Sequence, residues 1–179
     1  MGKSCLNKLS GNITVGCTIP QVGVKNLYLM HAEDVTLTTD TSGIDILTAT
    51  VSPGGVVILV EGYKQNIQIT SAIRTMGASA KLDFNVSFKL PGVEAPTPSR
   101  ARLRSLLTGT FYVLVEYVDG GNMFVGYTSP LECSGMDWDS NANAGLMTVT
   151  LAAPEGSAGN YIMRAVSAAI NSIKSKVGA

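Results

Sequence analysis

The chain is short of charge. Only 15% of its 179 residues are Asp, Glu, Lys or Arg, against roughly a quarter in an ordinary globular protein. The 13 basic and 13 acidic residues cancel, and they are evenly spread: 7 and 6 as far as Leu90, then 6 and 7. That balance excludes the basic stripe with which a domain tracks nucleic acid or an anionic membrane. A monomer ordinarily carries more charge on its surface. The deficit therefore predicts either a surface partly consumed by other subunits or a neutral coat rich in Ser, Thr and Asn, and composition alone leaves both open.

Cysteine is equally scarce. Cys5, Cys17 and Cys133 are odd in number and form no C-x-x-C, which argues against a disulfide framework and a zinc knuckle. No stretch reaches 18 apolar residues, so no membrane span is expected. The opening Met-Gly-Lys-Ser-Cys-Leu lacks the apolar core of a signal peptide and the Ser or Thr that N-myristoylation requires at position six. The expected site of synthesis is a reducing cytoplasm, which the chain leaves only by lysis or within an assembly.

The residues from which active sites are built are also few. His31 is the single histidine. A Cys-His nucleophilic pair with Cys17 or Cys133 has no signature around either thiol, and a histidine at a strand end is more often structural. His31-Ala-Glu33 echoes the H-x-E of zinc deaminases, but the P-C-x-x-C partner is missing. There is no P-loop and no dinucleotide-binding glycine motif after a strand. Carboxylates are too dispersed for a paired-acid site. The ladder Asp137, Asp139, Asn141, Asn143 resembles the start of an EF-hand loop, but it has Ala142 where that loop needs Gly and Thr148 where it needs Glu. A turn of Asx side chains bonding their own backbone is the better reading. No catalytic, cofactor-binding or metal-binding residue is assigned, no cofactor is expected, and the chain is not expected to be an enzyme.

What the chain has is strands. Thr110–Val118 is an unbroken run of β-branched, aromatic and leucine-like residues interrupted only by Glu116, the pattern of a strand buried on both faces. Asp119-Gly120-Gly121-Asn122 then reads as a turn, with Met123–Thr128 returning. A two-residue Gly120-Gly121 loop would set Tyr117 opposite Phe124 and Val115 opposite Gly126. Earlier strands are expected at 26–31, 35–39, 44–51, 56–61, 63–75 and 81–90. Ile44, Ile46, Thr48 and Thr50 are placed on one face of the third of these. Leu82, Phe84, Val86 and Phe88 alternate with Asp83, Asn85, Ser87 and Lys89, the cleanest period-two stretch in the chain. Further strands are expected at 131–138 and 145–153.

Two helices complete the reading. Thr97 as N-cap and Pro98 at the first helical position start one that runs to about Leu107. Leu103, Leu106 and Leu107 form its stripe, and Arg100 and Arg104 lie on another face. Arg100 in the first turn opposes the helix dipole, so either Glu94 or a neighbouring subunit offsets it or it is solvated. The second helix, of about four turns, begins near Asn160 and places Ile162, Val166, Ala169, Ile170, Ile173 and Val177 on one side. It can pack on its own domain, grip a neighbour or remain unfolded. The expected organisation is an arm over 1–25, a β-sandwich over 26–153 and a helical extension over 154–179. The fold class is mainly β, antiparallel, sandwich- or barrel-like, with one internal and one C-terminal helix.

This order of elements, with the segment V-L-V-E-Y-V-D-G-G-N-M-F-V-G-Y at 113–127, resembles the tail-tube family of tailed bacteriophages and its neck and ring relatives. The resemblance covers roughly 26–153 and rests on element order; the arm and the terminal helix depart from it. It implies a virion protein, made in the host cytoplasm, that pairs with itself edge to edge in a six-fold ring. The ring would meet neighbouring tail or neck proteins and enclose a channel through which genomic DNA passes as cargo. Gln65, Gln68 and Thr70 would suit a neutral lumen wall. Strands such as 65–73 expose edges that a monomer would blunt. The rival is a binding module, a decoration protein or carbohydrate-binding sandwich, with Trp138, Tyr127 and Tyr161 as its exposed platform.

Overall fold

The computed structural model describes residues 23–62, 66–76, 79–91, 104–138 and 146–178. These form a mainly antiparallel β-structure with one internal and one C-terminal helix, and its sheets do not close into a barrel. The strands are β1 (Val24–His31), β2 (Val35–Thr39), β3 (Asp45–Val51), β4 (Val57–Glu61), β5 (Ile67–Met76), β6 (Ser79–Pro91), β7 (Thr110–Tyr117), β8 (Asn122–Val125), β9 (Leu131–Trp138), β10 (Leu146–Ala152) and β11 (Arg164–Ala165). Residues 104–108 are helical (α1), and Ser167–Lys174 forms α2.

The large sheet runs β4-β1-β7-β9-β10-β6-β5, with β8 hydrogen-bonded to β7 beside that path. A smaller sheet runs β11-β3-β2. The alternation of side chains along β1 and β7 serves two cores. Leu27 and Leu29, with Phe111, Val113 and Val115, point into a core shared with Phe84, Val86 and Phe88 of β6 and Val149 and Leu151 of β10. Tyr28, Met30 and Leu114 point the other way, into a core shared with Ile46, Ala49 and Val51 of β3 and with Ala169 and Ile173 of α2. This explains the unbroken apolar run of β7: a strand with a core on each side has no wet face. It also places the C-terminal segment, whose Met163, Ala165, Ala169 and Ile173 are buried in the second core.

Three expectations are corrected. The hairpin loop after β7 has three residues, not two. Tyr117 N–H donates to Gly121 O at 2.9 Å, Gly120 takes a φ of +85°, and Asp119 Oδ1 accepts the Gly121 N–H at 2.8 Å. Leu114, not Tyr117, is therefore opposite Phe124. Tyr117 instead lies with its hydroxyl 3.9 Å from Met123 Sδ, and the ring beside Phe124 is that of Tyr112, with centroids 5.9 Å apart. A glycine in the left-handed region at the third loop position is the usual device of such a turn.

In β3, Thr38 pairs with Thr48 but Thr39 pairs with Ile46, so Leu47 is the extra residue of a bulge. The bulge moves the inward set from Ile44, Ile46, Thr48 and Thr50 to Ile46, Ala49 and Val51. The C-terminal helix is shorter than expected. It starts at Ser167, because residues 163–165 are taken up by strand pairing with β8 and β3 and Asn160 is held by the Ser129 backbone. Ile162, expected on its buried stripe, is 62% exposed.

Candidate functional site

The surface that stands out is a sheet border. β5 is the last strand of the large sheet and pairs with β6 on one side only, from Ile67↔Phe88 to Met76↔Ser79. Lys89 N–H donates to Asn66 O at 2.9 Å, which sets the alternation of the ladder. Gln68, Thr70, Ala72 and Arg74 bond inward to β6. The amides and carbonyls of Ile67, Ile69, Ser71, Ile73 and Thr75 point outward, and among the described residues they meet no hydrogen-bond partner.

The side chains there suit contact. Gln68, Thr70, Ser71, Ala72 and Thr75 are exposed and uncharged, and Ile73 is an aliphatic residue 73% exposed. Near the hairpin tip, Arg74 Nε donates to Asp83 Oδ2 at 2.5 Å, neutralising the two charges across the strand pair. The bond to Asp83 also raises the Arg74 pKa above its ordinary value. Lys81 Nζ is bound to Ser157 O at 2.8 Å. The border is thus a long, nearly neutral strand with its outer backbone groups unpaired, which is the template for pairing with another strand.

The other borders are covered in part, although β9 beyond Glu132 also has no strand on its β7 side among the described residues. On β4 the outward residues are Val57, Leu59 and Glu61, because Gly62 N–H bonds to Lys25 O on the β1 side. Val57 N–H donates to Lys176 O at 3.2 Å and Val57 O accepts from Gly178 N–H at 3.3 Å. Glu61 O accepts from Asn66 Nδ2 at 3.0 Å. The outer side of β8 is covered as well, with Phe124 N–H on Met163 O at 2.8 Å and Asn122 Oδ1 accepting the Ala165 N–H at 2.7 Å. β2 has a free side, but it is five residues long and lies opposite the bulge; short bulged edges pair poorly.

The residues weighed for chemistry are placed apart. His31 closes β1 and packs against Phe111, with ring centroids 4.7 Å apart and the planes tilted by 44°. Cys133 is a half-buried thiol in β9 whose Sγ lies 3.6 Å from Gly135 O. Glu33 sits in a single 3-10 turn, Ala32–Asp34, before β2. Asp137 and Trp138 end β9, where Thr148 faces Asp137 and Met147 faces Trp138. Trp138, Tyr127 and Tyr161 are all exposed, but no ring contact joins them among the described residues. Gln68 and Thr70 lie on the open strand and are exposed. Arg104 and Leu107 are exposed in α1 while Leu106 is buried. Cys5, Cys17, Gln65, Glu94, Thr97, Pro98, Arg100, Leu103, Asp139, Asn141, Ala142 and Asn143 lie outside the described residues.

Among the described residues no three His, Cys, Asp or Glu side chains gather as a metal site, and no helix is long and apolar enough to cross a membrane. One polar cluster was missed by sequence reasoning. Glu116 accepts hydrogen bonds from Lys174 Nζ (2.8 Å), Asn26 Nδ2 (3.0 Å) and the Tyr28 hydroxyl (3.1 Å). The single charge within the apolar run of β7 was its only signal. No protein-family model matches the chain, and no curated protein or solved structure does either.

Proposed function

We propose that the chain is a virion structural protein that assembles with copies of itself into a ring or tube of a phage tail or neck, enclosing part of the conduit for DNA. The observation that carries this reading is the β5 border, ten residues long, uncharged save for a paired arginine and open along its outer side. The shortage of charge agrees with a surface that other subunits cover. The resemblance in element order supplies the ring or tube, and the phage setting rests on it. Neighbouring tail or neck proteins would meet the faces above and below, and the virion is the expected location.

The test is electron microscopy of the purified full chain over a concentration series, read together with hydrogen exchange. Closed rings or tubes are expected, with the amides of Ile69, Ser71 and Ile73 protected in the assembled form. Ser71→Pro removes an outward N–H and no bond to β6, and proline is tolerated on edge strands; this variant should fold and fail to assemble. Assembly undiminished by Ser71→Pro would overturn the reading. So would a monomer that persists at every concentration both in the native chain and in the Gly178→Pro variant described next.

A further inference from the structure

A ring closed head to tail needs two borders per subunit, one giving and one receiving. β5 offers one. The opposite end of the same sheet is β4, and there residues 176–178 occupy, at Val57, part of the strip that a neighbour's strand would take. We infer that residues 176–178 guard the β4 border, and that this border is the docking strip for β5 of a second copy. The inference rests on the assembly reading above and deepens it by naming the second surface and its control.

Strand direction selects the occupant. Every pairing along the path from β4 to β5 is antiparallel, and by alternation across that path β5 runs in the same sense as β4. A sheet continued from copy to copy by rotation therefore joins β5 to the next β4 as parallel strands. The guard already adopts that arrangement, since Val177 bridges Val57 in the parallel sense. It does so with two backbone hydrogen bonds, Val57 N–H to Lys176 O and Gly178 N–H to Val57 O. The tail is thus a three-residue stand-in for a parallel strand, seated on the border where one is required. Among the described residues, β5 is a ten-residue strand that has unpaired outward groups and runs in the required sense. A ten-residue strand can offer more bonds than three residues can, so displacement favours assembly once a neighbour is near.

The guard is latched from inside the molecule. Two residues before it, Lys174 is tied to Glu116 on β7. The residue before Lys174, Ile173, is buried in the second core. Lifting the guard draws half-buried Val177 off the second core, but Ile173 and the Lys174–Glu116 pair keep the helix docked, so β4 can be uncovered without unfolding the subunit.

The experiment uses the full chain carrying Gly178→Pro. This change removes the N–H that bonds to Val57 O and forbids the φ of +68° that Gly178 adopts. It touches no buried side chain, and an unchanged far-ultraviolet spectrum and melting temperature will show that the subunit is intact. The expected result is assembly at a concentration up to about tenfold lower than for the native chain, the change that loss of one ordinary backbone hydrogen bond supports. Adding Ser71→Pro should abolish assembly in both backgrounds. Native and Gly178→Pro chains that assemble at the same concentration would overturn the guard while leaving the ring reading standing. A Gly178→Pro chain that stays monomeric alongside a monomeric native chain would remove the ring reading, and the guard with it.

Discussion

Lys174 Nζ lies 2.8 Å from Glu116 Oε1, joining the last turn of α2 to the inner strand β7. The same ammonium sits 5.7 Å from the centroid of the Tyr28 ring, and the Tyr28 hydroxyl returns to the Glu116 carboxylate. Three donors from two elements thus converge on one half-buried carboxylate. Together they place α2 over the sheet, and with it the tail that covers β4.

Loss of that carboxylate should loosen α2 in a pH-dependent way. Burial raises the Glu116 pKa, but the hydrogen bonds from Lys174, Asn26 and Tyr28 outweigh it, and the carboxyl sits below its ordinary value of 4.5. A lowered carboxyl stabilises the fold above that value and loses its contribution as pH falls through the folded value. Lys174 is raised above 10.5, first by the bond to Glu116, so its contribution persists up to that pH and fades above it. Between the two limits the pair is intact. Glu116→Gln should cost about 1–2 kcal/mol at neutral pH, a modest figure because Lys174 is partly solvated. The difference from the native chain should shrink in urea titrations run at progressively lower pH below 4.5, where the native carboxyl also becomes neutral. A difference that does not change with pH would mean that the cluster acts through packing alone.

The end of β8 depends on one glycine. Gly126 has a φ of +100°, and a Cβ placed there would stand 2.9 Å from the Phe111 carbonyl oxygen. Gly126→Ala therefore meets both an unfavourable backbone region and a contact with main chain that cannot swing away. Gly120 is the control: its φ is +85°, but the space around it is open. Gly120→Ala should cost about 1–2 kcal/mol, and Gly126→Ala clearly more, at least about 3 kcal/mol. Thermal unfolding of the two variants ranks them. Equal losses would show that the approach to Phe111 is relieved by a small backbone shift.

The contrast between these glycines shows what was legible in the chain. Gly120 announces a turn because it follows nine strand-forming residues, whereas the choice between a two- and a three-residue loop turned on Asp119 bonding the Gly121 amide. That bond carries no periodic signature, so the register was read wrongly although both strands were located. The alternation of β6, with Phe84, Val86 and Phe88 buried, was legible because it faces one core and has no bulge. The inward set of β3 was not, because Leu47 breaks the period where no glycine or proline marks it. The short helix failed for a related reason. Residues 162–177 do carry helical spacing, but long-range pairing of Met163 with Phe124 overrides it. The candidate surface was visible in part, as a neutral alternating strand at 65–73. That β4 is covered at Val57 by Val177, far downstream in the chain, and β5 is not, has no local signal at all.

Asn160 anchors the segment leading into β11. It is 2% exposed, and its side chain grips the Ser129 backbone, with Oδ1 accepting the N–H at 3.2 Å and Nδ2 donating to the carbonyl at 3.1 Å. Asn160→Ala would leave two buried main-chain groups without partners. The expected cost is about 1–3 kcal/mol. Asn160→Asp keeps the acceptor but sets a carboxylate against the Ser129 carbonyl, and should cost at least as much near neutral pH while recovering on acidification as the carboxyl regains a donor. Chemical denaturation of both variants at pH 7 and pH 4 decides this. Recovery of the Asp variant alone at the lower pH is the expected sign.

The open border should be readable amide by amide before any assembly forms. In a monomer, the Gln68, Thr70 and Ala72 amides are held by β6 while those of Ile69, Ser71 and Ile73 face outward. Hydrogen exchange along β5 should therefore alternate, slow at even positions and fast at odd ones, over the span that remains paired to β6. Exchange in sheets proceeds through local opening, so the contrast should be sharpest at Ser71 and its neighbours, away from the frayed end. When subunits join, the odd positions should slow and the alternation should vanish. Because the guard makes Val57 a bonded residue in the free subunit, its amide should be protected before and after assembly alike. Loss of that protection in Gly178→Pro monomers, with its return in their rings, would report the exchange of one parallel partner for another on the same strand. Uniformly slow exchange along β5 in a verified monomer would instead mean that the border is already covered by the chain itself.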